Sequence, residues 1–87
     1  MTLIFPNPSR TFDQTRKAIR FAGHDGVFEI LFYVEADVLT ANNQGTASEA
    51  ECLKIFDALR PSVQKAASLA YSRGPRPFYV LRAADFR

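Results

Sequence analysis

Apolar and polar positions alternate strictly in two neighbouring stretches of this chain. Ile19 and Phe21 alternate with Arg20 and Ala22; Phe28, Ile30, Phe32 and Val34 alternate with Glu29, Leu31 and Tyr33. A period of two places each set on one face of a β-strand. Between the stretches lies Gly23-His24-Asp25-Gly26, where glycine supplies the positive φ angles of a reversal at little steric cost. A two-residue Asp25-Gly26 loop would pair Phe21 with Ile30 and Ile19 with Phe32. A four-residue Gly23–Gly26 loop would pair Phe21 with Phe28 and Arg20 with Glu29. Both keep the apolar sets together, whereas a three-residue loop would turn one set into water. The facing charges of Arg20 and Glu29, worth about 0.2–1 kcal/mol, favour the four-residue loop.

Further along, the period changes. From Glu49 to Tyr71, Cys52, Leu53, Phe56, Leu59, Val63, Ala67 and Ala70 fall within about one third of a helix circumference at ~100° per residue. Ser48-Glu49-Ala50-Glu51 has the form of a capping box. Pro61 interrupts the stripe, at ~3 kcal/mol inside an unbroken helix. Either one helix is kinked there, or two helices meet with proline in the first turn of the second; the unbroken phase favours the kink. Ser72-Arg73-Gly74-Pro75 ends the helical stretch. Glu35–Leu39 suits a short helix with acids in its first turn, ended by Asn42–Gly45. Leu3-Ile4-Phe5, stopped by Pro6, reads as a brief edge strand, followed by a turn at Asn7–Arg10. Asp13 is placed to cap a turn at Gln14–Arg16. Phe78–Arg82 reads as a last strand, after which Ala83–Phe86 turns Phe86 back towards the core.

These elements make residues 1–87 one α+β domain. A small antiparallel sheet, the hairpin plus N- and C-terminal strands, packs on one long kinked helix or a helix pair. Eighty-seven residues leave no room for a second core. An apolar fraction of 47% suits a globular chain. The N-terminus lacks the basic region of a signal peptide, and no apolar run approaches the ~20 residues of a membrane span. A soluble, cytoplasmic protein is the expectation. Net charge is +2, but residues 1–20 carry +3, residues 21–59 carry −6 and residues 60–87 carry +5. Folding is expected to bring these segments together in mutual neutralisation.

Phe5-Pro6, Phe12-Asp13, Ile19-Arg20-Phe21, Asp25-Gly26, Phe32-Tyr33-Val34, Phe56-x3-Arg60-x2-Val63 and Leu81-x3-Asp85-Phe86 together resemble a small bacterial family, the domain of unknown function numbered 1488. The resemblance spans nearly the whole chain. It implies a compact α+β fold with a long helix or helix pair against a sheet, and it implies no activity. Pro61 departs from the continuous helix of the family pattern, and Arg82 stands where threonine is common.

Candidate chemistry is sparse. His24 is the only histidine and Cys52 the only cysteine. A His/Cys metal site and Ser-His-Asp catalysis are therefore not expected, and no cofactor is. His24 is read as part of a solvated turn, and Cys52 as a small buried hydrophobe. The glycines are scattered and form no phosphate loop. The carboxylate pairs Glu49/Glu51 and Glu35/Asp37 belong to helix starts. Arg60 lies within the apolar stripe, where a guanidinium needs a partner. Asp85 is the candidate, either in a structural ion pair pinning the C-terminus to the helix or as part of an anion site. Arg73, Arg76 and Tyr79 form the best candidate nucleic-acid contacts, arginines for phosphates and an aromatic ring for a base. A non-enzymatic protein-interaction or regulatory module is the reading these features favour. Self-association would use a sheet edge or the mixed face of Leu31 and Tyr33. The alternative is a nucleic-acid-binding accessory protein using the basic termini.

Overall fold

The alternating stretches form the two longest strands of the fold. In the computed structural model, which describes residues 3–6, 9–39 and 48–86, β2 (Ala18–Asp25) pairs antiparallel with β3 (Phe28–Glu35). Phe21 faces Phe32, Ile19 faces Val34 and Asp25 faces Phe28. The loop is thus Gly26-Val27, and both expected registers are corrected. Gly26 has φ 63°, and positive φ at the first loop residue alone is what a type II′ hairpin requires. The observed register differs from each expected one by an even number of residues, so every side chain keeps its expected face. Arg20 faces Tyr33 rather than Glu29. The longer ladder and the well-formed turn outweigh one exposed charge pair.

β1 (Arg10–Asp13) pairs antiparallel with β2. Only Phe12 of its four residues is apolar, so alternation does not reveal this strand. The turn at residues 14–17 follows, with the Arg16 amide donating to Asp13 Oδ1 at 3.0 Å, the capping role expected of Asp13. Upstream, Ile4 and His24 exchange backbone hydrogen bonds of 2.9 and 2.7 Å on the same edge of β2. The N-terminal strand is therefore a single bridge. It also places His24 inside β2, correcting the turn reading. Asn7, Pro8 and the stretch Asn42–Thr46 lie outside the described residues.

The short helix α1 (Ala36–Leu39) follows β3 directly. α2 (Glu49–Ala58) begins with the expected capping box: Ser48 Oγ accepts from the Glu51 amide at 3.1 Å, and Glu51 Oε1 accepts from the Ser48 amide at 3.3 Å. α3 (Arg60–Ser72) carries Pro61 in its first turn. Two helices thus meet at Leu59, not one kinked helix. Leu59 has non-helical angles, φ −101° and ψ 11°, and its amide donates to both Ile55 and Phe56 carbonyls. Proline's missing donor costs nothing in a first turn, where amides lack helical acceptors anyway. Leu59, at the break between the two helices, is 43% exposed and so falls off the apolar stripe.

β4 (Tyr79–Leu81) joins β3, giving the strand order β1-β2-β3-β4. It runs parallel to β3, so the sheet is mixed rather than wholly antiparallel. A parallel neighbour needs a long crossover, and α1, α2 and α3 provide it on one face of the sheet. The α+β architecture otherwise stands. Cys52, Phe56, Val63, Ala66 and Ala67 from α2 and α3 close over Ile19, Phe21, Phe32, Val34 and Leu81. Phe21, Phe32 and Tyr79 occupy facing positions on three adjacent strands and stack at 5.3 Å between successive ring centroids. Phe56 meets Phe21 at 5.2 Å. A 3-10 turn at Ala83–Phe86 returns Phe86 to this core, as expected.

Candidate functional site

Arg60 and Asp85 are not brought together. Arg60 lies at the α2–α3 junction, where its Nη2 donates to Asp57 Oδ1 at 2.6 Å and its guanidinium stands 5.0 Å from the Phe56 ring centre. Asp57 also receives Arg10, from Nε at 3.0 Å and Nη2 at 2.7 Å. Arg10 comes from β1, on the same row as Phe21 and Phe32, so this bidentate contact fastens the edge of the sheet to the helix junction. The Arg10 hydrogen bond, with Arg60 beside it, holds the Asp57 carboxyl below its ordinary range and raises the Arg10 guanidinium. The sequence reading missed Arg10 and Asp57 because β1 carries no alternating signal.

Asp85 has different partners. Its Oδ2 accepts from the Arg82 amide at 2.8 Å, capping the 3-10 turn, and its Oδ1 accepts from Arg73 Nη1 at 3.4 Å. The link from helix to C-terminal segment exists, but the end of α3 makes it. In place of the expected Arg60–Asp85 pair, Arg60 bonds Asp57 one turn before it, and Asp85 bonds Arg73 and the Arg82 amide.

Arg73, Arg76 and Arg82 stand around a cavity of ≈ 500 Å³ beside β4, with Ala70, Val80 and Asp85 in its lining. Tyr79 borders it through atoms that leave the ring 4% exposed, and its hydroxyl donates to the Gly74 carbonyl at 2.6 Å. Tyr79 is thus a core residue and cannot stack on a base, which corrects that candidate contact. Phe78 is half-buried, 5.6 Å from the Tyr33 ring, with the Arg16 guanidinium 4.7 Å from its own. Arg16 also stands 4.5 Å over Tyr33. On the mixed face of Leu31 and Tyr33, Tyr33 is buried beneath Arg16 and Phe78, while Leu31 is half-buried and lines an open cavity with Arg20 and Glu29.

Among the described residues the two most exposed large apolar ones, Val27 at 92% and Phe28 at 70%, adjoin at the hairpin tip; Ile4, 51% exposed and bridged to His24, lies on the opposite face of the sheet from Phe28. Behind them the Tyr71 hydroxyl donates to Asp25 Oδ2 at 2.5 Å, tying α3 to the hairpin and raising the Tyr71 pKa. Sequence alternation pointed Phe28 to the helix side. It missed that the helices end before reaching it.

Cys52 is buried, and burial, with Glu51 and Glu49 nearby, pushes its thiol pKa up. Among the described residues no three His, Cys, Asp or Glu side chains are grouped to hold a metal ion, and no helix is long and apolar enough to cross a membrane.

Residues 3–81 match the model of a family described as "Protein of unknown function (DUF1488)". The chain belongs to this family. A solved structure from the same family, of a protein from Shewanella loihica, superposes with a TM-score of 0.74 at 21% identity, covering 93% of this chain and 94% of that one. At that identity the likeness concerns the fold. A search of curated proteins finds no match. The DUF1488 fold is thus a mixed four-stranded sheet with helices on one face.

Proposed function

We propose that this DUF1488 domain is a non-enzymatic protein-interaction module. The observation that carries the reading is the hairpin tip, where Val27 and Phe28 stand in solvent side by side. Scattered apolar residues are normal on a surface; two adjacent large ones at a hairpin tip, the most exposed among the described residues, mark a contact site. The tight Gly26-Val27 turn presents Val27 and Phe28 on a well-formed ladder, so little conformational entropy is lost on contact. A second copy of the chain and a different protein both fit this surface.

A photo-crosslinking residue in place of Val27, activated in the source cell, tests it. A discrete protein adduct is expected, at twice the mass of the chain if the partner is a second copy. No adduct, or the same adducts as from Lys65 on the exposed side of α3, would overturn the reading. The nucleic-acid alternative keeps its arginines but lacks an available stacking ring beside them, since Tyr79 is buried and Phe78 is occupied by Arg16.

A further inference from the structure

We propose that the outer edge of β4 and the arginines around it form a binding site for an extended acidic peptide, added to the sheet as a fifth strand. Among the described residues β4 is the last strand in the order and pairs with β3 alone. An edge strand turns part of its backbone donors and acceptors away from the sheet, where an incoming chain can use them. Charged residues on an edge ordinarily discourage such pairing, but here they are nearly all of one sign. Arg73, Arg76 and Arg82 line the cavity beside β4, with Asp85 the only acid among the described residues of the lining. This repels basic segments and admits acidic ones.

The cavity has a built rim. Arg76 lies between Pro75 and Pro77, and proline's fixed φ reduces the freedom of the segment that carries it. Arg73 projects from the end of α3 and Arg82 from the residue after β4. Ala70 on the helix side contributes only a methyl group to the wall, leaving ≈ 500 Å³ open. Two of the arginines have long and solvated ion pairs: Arg73–Asp85 at 3.4 Å and Arg82–Glu35 at 3.9 Å, with side chains 69% and 70% exposed. Exposed pairs of this kind contribute little, so both guanidiniums can turn to an incoming carboxylate without first being desolvated.

The geometry favours a peptide over a nucleic acid. Sequence-tolerant binding of single strands depends on aromatic faces open to bases. Tyr79 is buried in the core, and Phe78 packs against Tyr33 and Arg16. What remains is a strand edge and positive charge. The three residues of β4, at about 3.3 Å each, would pair with about three residues of the peptide, and its flanking residues would meet the arginines.

The site extends the interaction reading to a second surface, at β4 rather than at the hairpin end, and the two fail separately. The probe is a fluorescent hexapeptide of alternating valine and glutamate, followed by anisotropy on the full chain at low salt. Saturable binding that weakens as salt rises is expected. A peptide of equal charge with two of its three valines replaced by proline should bind at least about fivefold more weakly, because it cannot form the ladder. Arg76→Glu with Arg82→Glu should reduce affinity at least about tenfold while leaving the melting temperature near that of the parent. Phe28→Ser should bind the peptide as the parent does, whatever it does to the hairpin contact. Absence of binding at low salt, equal affinity for the proline peptide, or indifference to the double reversal would overturn the proposal. So would tighter binding of hexathymidylate, which would assign the groove to nucleic acid.

Discussion

Gly23 sits where the N-terminal segment crosses β2, and the substitution Gly23→Ala measures how firmly that segment is seated. A Cβ at this position would lie 2.9 Å from Leu3 Cδ1, 2.9 Å from Phe5 Cε1 and 3.3 Å from the Ile4 carbonyl oxygen. Relaxed carbon contacts fall at about 3.5–4.0 Å. The tip of Leu3 can turn aside. The Phe5 ring has less freedom, packed at 6.1 Å from Phe21 and 6.2 Å from Phe32. The Ile4 carbonyl is held by the His24 amide at 2.7 Å, so backing away would stretch that bond. Overpacking of this kind costs about 1–3 kcal/mol. Alanine's stiffer unfolded chain returns about 0.4–1 kcal/mol. The net expectation is a loss of about 1–2 kcal/mol. At about 4–8 °C per kcal/mol for a domain of this size, the melting temperature should fall by at least about 4 °C. Urea titration followed by far-UV circular dichroism should show a lower midpoint with an unchanged slope. Adding Leu3→Ala removes one of the close contacts, so the double variant should lose less than the two singles combined. A Gly23→Ala protein as stable as the parent, or strict additivity with Leu3→Ala, would refute the seating of residues 3–5 on β2.

Pro61→Ala should change stability by no more than about 1 kcal/mol in thermal melts, because proline belongs in a first helical turn; a gain near ~3 kcal/mol would show that it interrupts one continuous helix. Asp57 has its pKa depressed in the folded chain, so its contribution is present above the ordinary value of 3.8 and is lost as pH falls through the lower folded value. Stability measured from pH 5 to about pH 2 should therefore decline less in Asp57→Asn than in the parent, and parallel curves would refute the Arg10 contact. The effect should be small, since exposed pairs contribute about 0.2–1 kcal/mol. Cys52 is 2% exposed with a raised thiol pKa, so a thiol reagent at pH 8 should label it no faster than the chain opens. Rapid labelling of the native protein would place α2 away from the sheet.

Much of the fold was legible because it depends on periodicity. Ile19, Phe21, Phe32 and Val34 face the helices whichever loop joins their strands, since a shift of two residues preserves face. Cys52, Phe56, Val63 and Ala67 are buried as their helical phase requires, and the Ser48–Glu51 cap is local chemistry written in four consecutive residues. The candidate site was less legible. Arg73 and Arg76 were identified as a basic cluster, but Arg82 joins them only because β4 ends beside α3. Tyr79 looked available because nothing in the local sequence distinguishes the buried from the open side of a three-residue strand.

Alternation and phase by themselves determined which residues enter the core and that the domain is α+β. Local patterns report which side of an element is apolar; they contain no information about what arrives on that side from a distance. Tertiary packing alone decided the parallel direction of β4, the pairing of Arg10 with Asp57 and the exposure of Phe28. Each of these depends on where the α2–α3 pair begins, turns and ends relative to the sheet.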